Sequence, residues 1–96
     1  MVDFNGKVVI VTGAAGGIGR AAACRFAELG ARVALADVDE KGLAGTAEII
    51  GEQAVVVPTD VADPDACRVL VDRVVQTWGR LDVVFNNAGV AGDRGL

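Results

Sequence analysis

The 96-residue chain has no histidine and no tyrosine, and no serine occurs anywhere along it. These absences remove a serine–histidine triad, a histidine general base and a tyrosine acid from what these residues can do. Cysteine is limited to Cys24 and Cys67, which stand apart among apolar neighbours without CxxC spacing. They read as buried reduced thiols, and no zinc-ligand pattern or other metal site accompanies them. Long apolar runs are missing as well, since none approaches the roughly 18 residues of a membrane span. Met1–Gly6 has neither the basic region nor the apolar stretch of a signal peptide. Positive charge is the minority sign, with 9 basic residues against 13 acidic ones and a formal net charge of −4. That balance argues against a protein that grips nucleic-acid backbones. The expectation is a soluble cytoplasmic domain with no nucleic acid or membrane as partner.

Hydrophobic residues make up 52% of the chain and charged ones 23%, which excludes a disordered acidic tail. The length suits one domain, spanning 1–96. Four apolar runs rich in β-branched residues read as strands: Lys7–Thr12, Arg32–Asp37, Ala54–Pro58 and Leu81–Asn86. They are nearly continuous rather than alternating, as in a parallel sheet covered on both faces. Between them the apolar period becomes helical. Ile18, Ala22, Phe26 and Leu29 form one stripe, opposite Arg25 and Glu28. A second helix opens at an Asp39 cap and turns Leu43, Ala47 and Ile50 inward, weakened by Gly42 and Gly45 at about 1 kcal/mol each. A third starts at Asp63-Pro64, buries Cys67, Leu70, Val71, Val74 and Trp78, and stops at Gly79. The order β-α-β-α-β-α-β predicts an α/β fold with a parallel sheet and right-handed crossovers.

Thr12-Gly13-Ala14-Ala15-Gly16-Gly17-Ile18-Gly19 joins the first strand to the first helix. A diphosphate can meet free N–H groups at a helix start only where no Cβ intervenes. Gly13 gives the tight exit from the strand, Gly17 the passage for phosphates, and Gly19 close contact between helix and sheet. The spacing is T-G-x-x-x-G-x-G rather than the commoner G-x-G-x-x-G. Asp37 ends the second strand, where a carboxylate can accept from both hydroxyls of an adenosine ribose. It would repel a 2′-phosphate, and neither Gly16 nor Val38 is basic, so the pattern predicts NAD in preference to NADP.

With those residues the chain resembles the N-terminal, cofactor-binding part of the short-chain dehydrogenase/reductase family. Thr12–Gly19 is similar to the family's glycine turn, and Asp37 to its acidic residue after the second strand. Asp60-Val61 resembles the pair that holds the adenine ring, and Asn86-Asn87-Ala88-Gly89 resembles its N-N-A-G signature. The resemblance implies a Rossmann-type, doubly wound parallel sheet of strand order 3-2-1-4. It assigns Gly13, Gly17, Ile18 and Gly19 to the diphosphate, Asp37 to the ribose, and the Asp60 side chain with the Val61 backbone to the adenine. Asn87 corresponds to the asparagine that steadies the sheet beneath the site, and Ala88 and Gly89 to neighbours of the nicotinamide ribose.

The family implies hydride transfer between a nicotinamide and an alcohol or ketone carbon. Its active-site serine and Y-x-x-x-K pair lie downstream of these motifs, and neither Lys7 nor Lys41 stands in such a pair. No catalytic residue is therefore assigned, and the chain is expected to be a cofactor-binding half, truncated before the catalytic segment, with no turnover alone. The alternative is a stand-alone non-catalytic NAD-binding module or a split-protein interaction module. In the order 3-2-1-4 the fourth strand lies at an open edge. Val83, Val84 and Phe85 there predict self-association or pairing with a missing C-terminal half, with Asp82 the one charge to oppose it.

Overall fold

Each apolar run forms a strand, and each helical period forms a helix. In the computed structural model, which describes residues 3–87, the order is β1 (Val8–Thr12), α1 (Gly17–Glu28), β2 (Arg32–Asp37), α2 (Glu40–Ile50), β3 (Ala54–Pro58), α3 (Pro64–Trp78) and β4 (Val83–Asn86). The four strands make one parallel sheet in the order β3-β2-β1-β4. This is the doubly wound arrangement expected, in part: the chain runs outward from β1 to β3, then crosses back to place β4 on the other side of β1.

Side chains alternate between the two faces of a strand, so β1 and β2 each supply two cores. Val9, Val11, Val33 and Leu35 meet Ala23 and Ala27 of α1 and Leu43 of α2 on one face. Val8, Ile10, Ala34 and Ala36 meet Leu70 and Val74 of α3 on the other. Eight of these strand residues are essentially inaccessible, each worth about 1.5–3 kcal/mol where the side chain is the size of valine or larger. Phe26 of α1 joins the N-terminal segment to the far strand, with ring centroids 5.2 Å from Phe4 and 6.1 Å from Phe85.

Several local expectations change. Ile18 is 72% exposed, because α1 rests on its small residues Gly19, Ala23 and Ala27; the large side chains of the expected stripe lie to one side of that contact. Val71 is also exposed, since α3 packs through Leu70 and Val74 on a narrower seam. Cys24 and Cys67 are unpaired but half-buried, not fully enclosed.

β4 begins at Val83 rather than Leu81. The Asp82 backbone N–H donates to the Val8 carbonyl at 2.9 Å, and the Asp82 carboxylate accepts from the Val8 N–H at 2.8 Å. A side chain thereby replaces the next backbone partner and ends the ladder. Arg80 donates to both oxygens of the same carboxylate, at 2.9 and 2.8 Å. These bonds, the Arg80 pair first and the Val8 amide second, hold the Asp82 carboxyl below the ordinary range.

Candidate functional site

The sheet is parallel, so Thr12, Asp37, Pro58 and Asn86 all end their strands on the same edge. Thr12 lies opposite Ala36 and Asn86, and Asp37 opposite Pro58. The connections leaving these ends carry the glycine turn, Asp37 itself and Asp60-Val61. Chain order reverses between β1 and β4, and open sheets of this kind bind ligands at the carboxyl edge where that reversal occurs.

The glycine turn is shaped by two different demands. Gly13 and Gly17 have φ of +66° and +56°, the left-handed region that a Cβ disfavours by about 1–2 kcal/mol. A Cβ on Gly17 would meet nothing within 4 Å, so the space beyond it is open to a ligand. Gly19 is buried, and a Cβ there would run into the Gly13 carbonyl. Its close contact is therefore with the turn that leaves β1, not with the body of the sheet. At the start of α1 the N–H groups of Gly17, Ile18 and Gly19 precede the first intrahelical hydrogen bond, as the leading amides of any helix do. The first bond of this helix is from the Arg20 N–H to the Gly16 carbonyl, at 3.2 Å.

The body of the turn is held on both sides. Ala14 N–H donates to the Ala36 carbonyl at 3.2 Å, and Ala15 N–H to Asp37 Oδ2 at 3.2 Å. The other Asp37 oxygen accepts from the Asp39 N–H at 3.1 Å. The ribose acceptor expected from sequence is thus half-buried beside the turn, fixed by two backbone amides, each of which leaves lone pairs on its oxygen for further donors.

Asp60 is exposed and folds onto its own loop, accepting from the Ala62 N–H at 2.9 Å. Val61 is half-buried and lines an open groove of about 180 Å³ with Thr12, Cys67, Leu70, Val84 and Asn86. Between β1 and β4, Thr12 Oγ1 donates to Asn86 Oδ1 at 3.0 Å. The Asn87 N–H donates to the Phe85 carbonyl at 3.2 Å. Ala88 and Gly89 lie outside the described residues.

Two polar residues that the sequence reading did not single out stand directly behind the turn. The Arg20 Nη2 donates to the carbonyls of Ala15 and Gly42, at 2.8 and 2.9 Å, and its Nε donates to Thr46 Oγ1 at 2.8 Å. Thr46 is fully buried and donates to the Ala14 carbonyl at 2.7 Å. The available signal was Gly42 and Gly45 together in one helix. A Cβ on Gly42 would lie 2.7 Å from the Ala15 carbonyl oxygen, and one on Gly45 3.0 Å from Arg20 Nη2.

Among known proteins, residues 7–96 match the family model described as short chain dehydrogenase. An uncharacterized oxidoreductase of Thermotoga maritima is 47% identical over 92 residues, covering 93% of this chain and 36% of that protein. A short chain dehydrogenase/reductase from Burkholderia phymatum, solved in complex with NAD, superposes with a TM-score of 0.82 at 38% identity. The match covers 88% of this chain and 31% of that one. The 3-ketoacyl-(acyl-carrier-protein) reductase of Brucella melitensis, complexed with NADH, gives a TM-score of 0.82 at 33% identity, covering 85% and 34%. The chain spans about a third of the length of these relatives.

Proposed function

Because the chain belongs to the short chain dehydrogenase family, we propose that its carboxyl edge holds NAD, in preference to NADP. The whole chain then acts as one cofactor-binding domain of an oxidoreductase that moves hydride between an alcohol or ketone carbon and the nicotinamide. One observation carries the reading. The open, left-handed Gly17 and the start of α1 stand beside a carboxylate, Asp37, that backbone amides already fix in place.

The residues present fit a dinucleotide. The Gly17, Ile18 and Gly19 amides, with the positive end of α1, would take the diphosphate. Asp37 would accept from the adenosine ribose hydroxyls, and its charge would oppose a 2′-phosphate. Val61 would border the adenine, with Asp60 stiffening the loop that carries it. Asn87 would stand on the nicotinamide side. When bound, NAD supplies the hydride acceptor. No residue of the described chain is assigned a catalytic proton transfer.

The test is direct competition of NAD and NADP for the purified chain, beside the Asp37→Ala variant. NAD should bind at least about tenfold tighter in the native chain, the worth of one hydrogen bond to a charged acceptor. Asp37→Ala should remove most of that difference. Equal or tighter NADP binding by the native chain would refute the preference.

A second reading concerns partners. β4 is paired only with β1 among the described strands, and Val84 is 53% exposed beside the groove under α3. We infer that this edge joins another chain, either a second copy or a separate catalytic half; its mass in solution decides the matter. No helix among the described residues is long and apolar enough to cross a membrane, and a cytoplasmic setting is part of the same proposal.

A further inference from the structure

Behind the cofactor edge, five hydrogen bonds close on themselves. Arg20 Nη2 donates to the Gly42 carbonyl at 2.9 Å, and the Gly42 N–H to Asp39 Oδ1 at 3.0 Å. The Asp39 N–H donates to Asp37 Oδ1 at 3.1 Å. Asp37 Oδ2 accepts from the Ala15 N–H at 3.2 Å, and the Ala15 carbonyl returns to Arg20 Nη2 at 2.8 Å. The circuit passes through the glycine turn, the end of β2 and the first turn of α2. Arg20, projecting from α1, is the member that joins the first of these to the last.

The seat of the guanidinium is specifically built. A hydroxyl has one proton to give, and that of Thr46 goes to the Ala14 carbonyl at 2.7 Å in preference to its own helix carbonyl, Gly42, at 3.2 Å. This leaves its lone pair for Arg20 Nε at 2.8 Å. Thr46 is wholly buried and cannot itself touch a cofactor. Two glycines in an 11-residue helix are unfavourable on helix propensity. Here they leave the space that the Ala15 carbonyl and the guanidinium occupy.

We propose that Arg20, seated on the Thr46 hydroxyl, is a positioning residue that fixes the Asp37 carboxylate at a set spacing from the glycine turn. It thereby sets the cofactor preference without contacting the cofactor. The inference rests on the NAD reading of the site. With Arg20 removed, Asp37 keeps its charge but loses the brace that holds the Ala15 amide against it. Discrimination at the ribose then falls further than overall stability alone can account for.

The experiment compares Arg20→Met, Thr46→Val and Thr46→Ser with the native chain. It measures the ratio of NAD to NADP affinity, the melting temperature and the exchange rate of the Ala15 amide. The expected result is a ratio reduced about tenfold in Arg20→Met and about threefold in Thr46→Val, near native in Thr46→Ser. Ala15 exchange should quicken in the first two variants even without cofactor. Thr46→Val is close in shape to the native residue and keeps the test decisive if Arg20→Met does not fold. A lowered melting temperature with an unchanged ratio and unchanged Ala15 exchange would make Arg20 a merely structural residue and overturn the proposal. If the native chain binds neither dinucleotide, the cofactor reading fails and the proposal falls with it. Native NAD binding with no change in any variant overturns the proposal alone.

Discussion

A methyl group added at Gly17 and one added at Gly19 meet different surroundings. At Gly17 it enters open space in a left-handed backbone; at Gly19 it strikes the Gly13 carbonyl. The first position faces open space, the second the protein's own close packing, although the sequence presents both as glycine. Asp82 shows the same dependence on surroundings. Its carboxyl is held below the ordinary range by the Arg80 hydrogen bonds and then by the Val8 amide. A lowered folded-state value means that protonation costs the folded chain more than the unfolded one. The Asp82 contribution is therefore complete above the ordinary carboxylate value and is lost as pH falls below about 4, through the folded-state value. Urea midpoints of the native chain and Asp82→Asn should differ at pH 7 and converge toward pH 3. A difference that stays constant across that range would show that the charge of Asp82 does not support the fold.

At the scale of elements, the strands and helices were legible because their apolar periods differ and their ends are marked. Asp39 and Asp63 cap α2 and α3 as the sequence implied, accepting from the N–H groups of Gly42 and Asp65. Gly79 ends α3 in the left-handed conformation. What the period could not give was the width of each seam. α1 approaches the sheet through Ala23 and Ala27, so Ile18 is displaced outward. Nor could it give the start of β4, which depends on Asp82 reaching Val8 from far along the chain. The edge of β4 carries its own prediction. Lysine on an edge strand opposes pairing with another chain. Light scattering at about tens of micromolar should show association of the native chain, weakened at least about tenfold by Val84→Lys. A clean monomer of the native chain would rule out self-pairing.

At the scale of the whole molecule, the four strand ends bring the glycine turn, Asp37, Asp60-Val61 and Asn86-Asn87 to one edge, and the sequence order of these motifs already implied that alignment. Their shared register follows from parallel pairing alone. The support behind them was not legible. Arg20 and Thr46 are far apart in sequence, and a polar residue in an amphipathic helix ordinarily faces water. Only packing of α1 against α2 puts the guanidinium between two carbonyls and a buried hydroxyl. NAD binding at this edge is tested by a calorimetric titration of the chain with NAD, with Gly17→Ala measured beside it. Saturable one-to-one binding, weakened at least about tenfold by Gly17→Ala while the fold is retained, is the predicted result. No saturable binding by the native chain, or equal binding by Gly17→Ala, would contradict it.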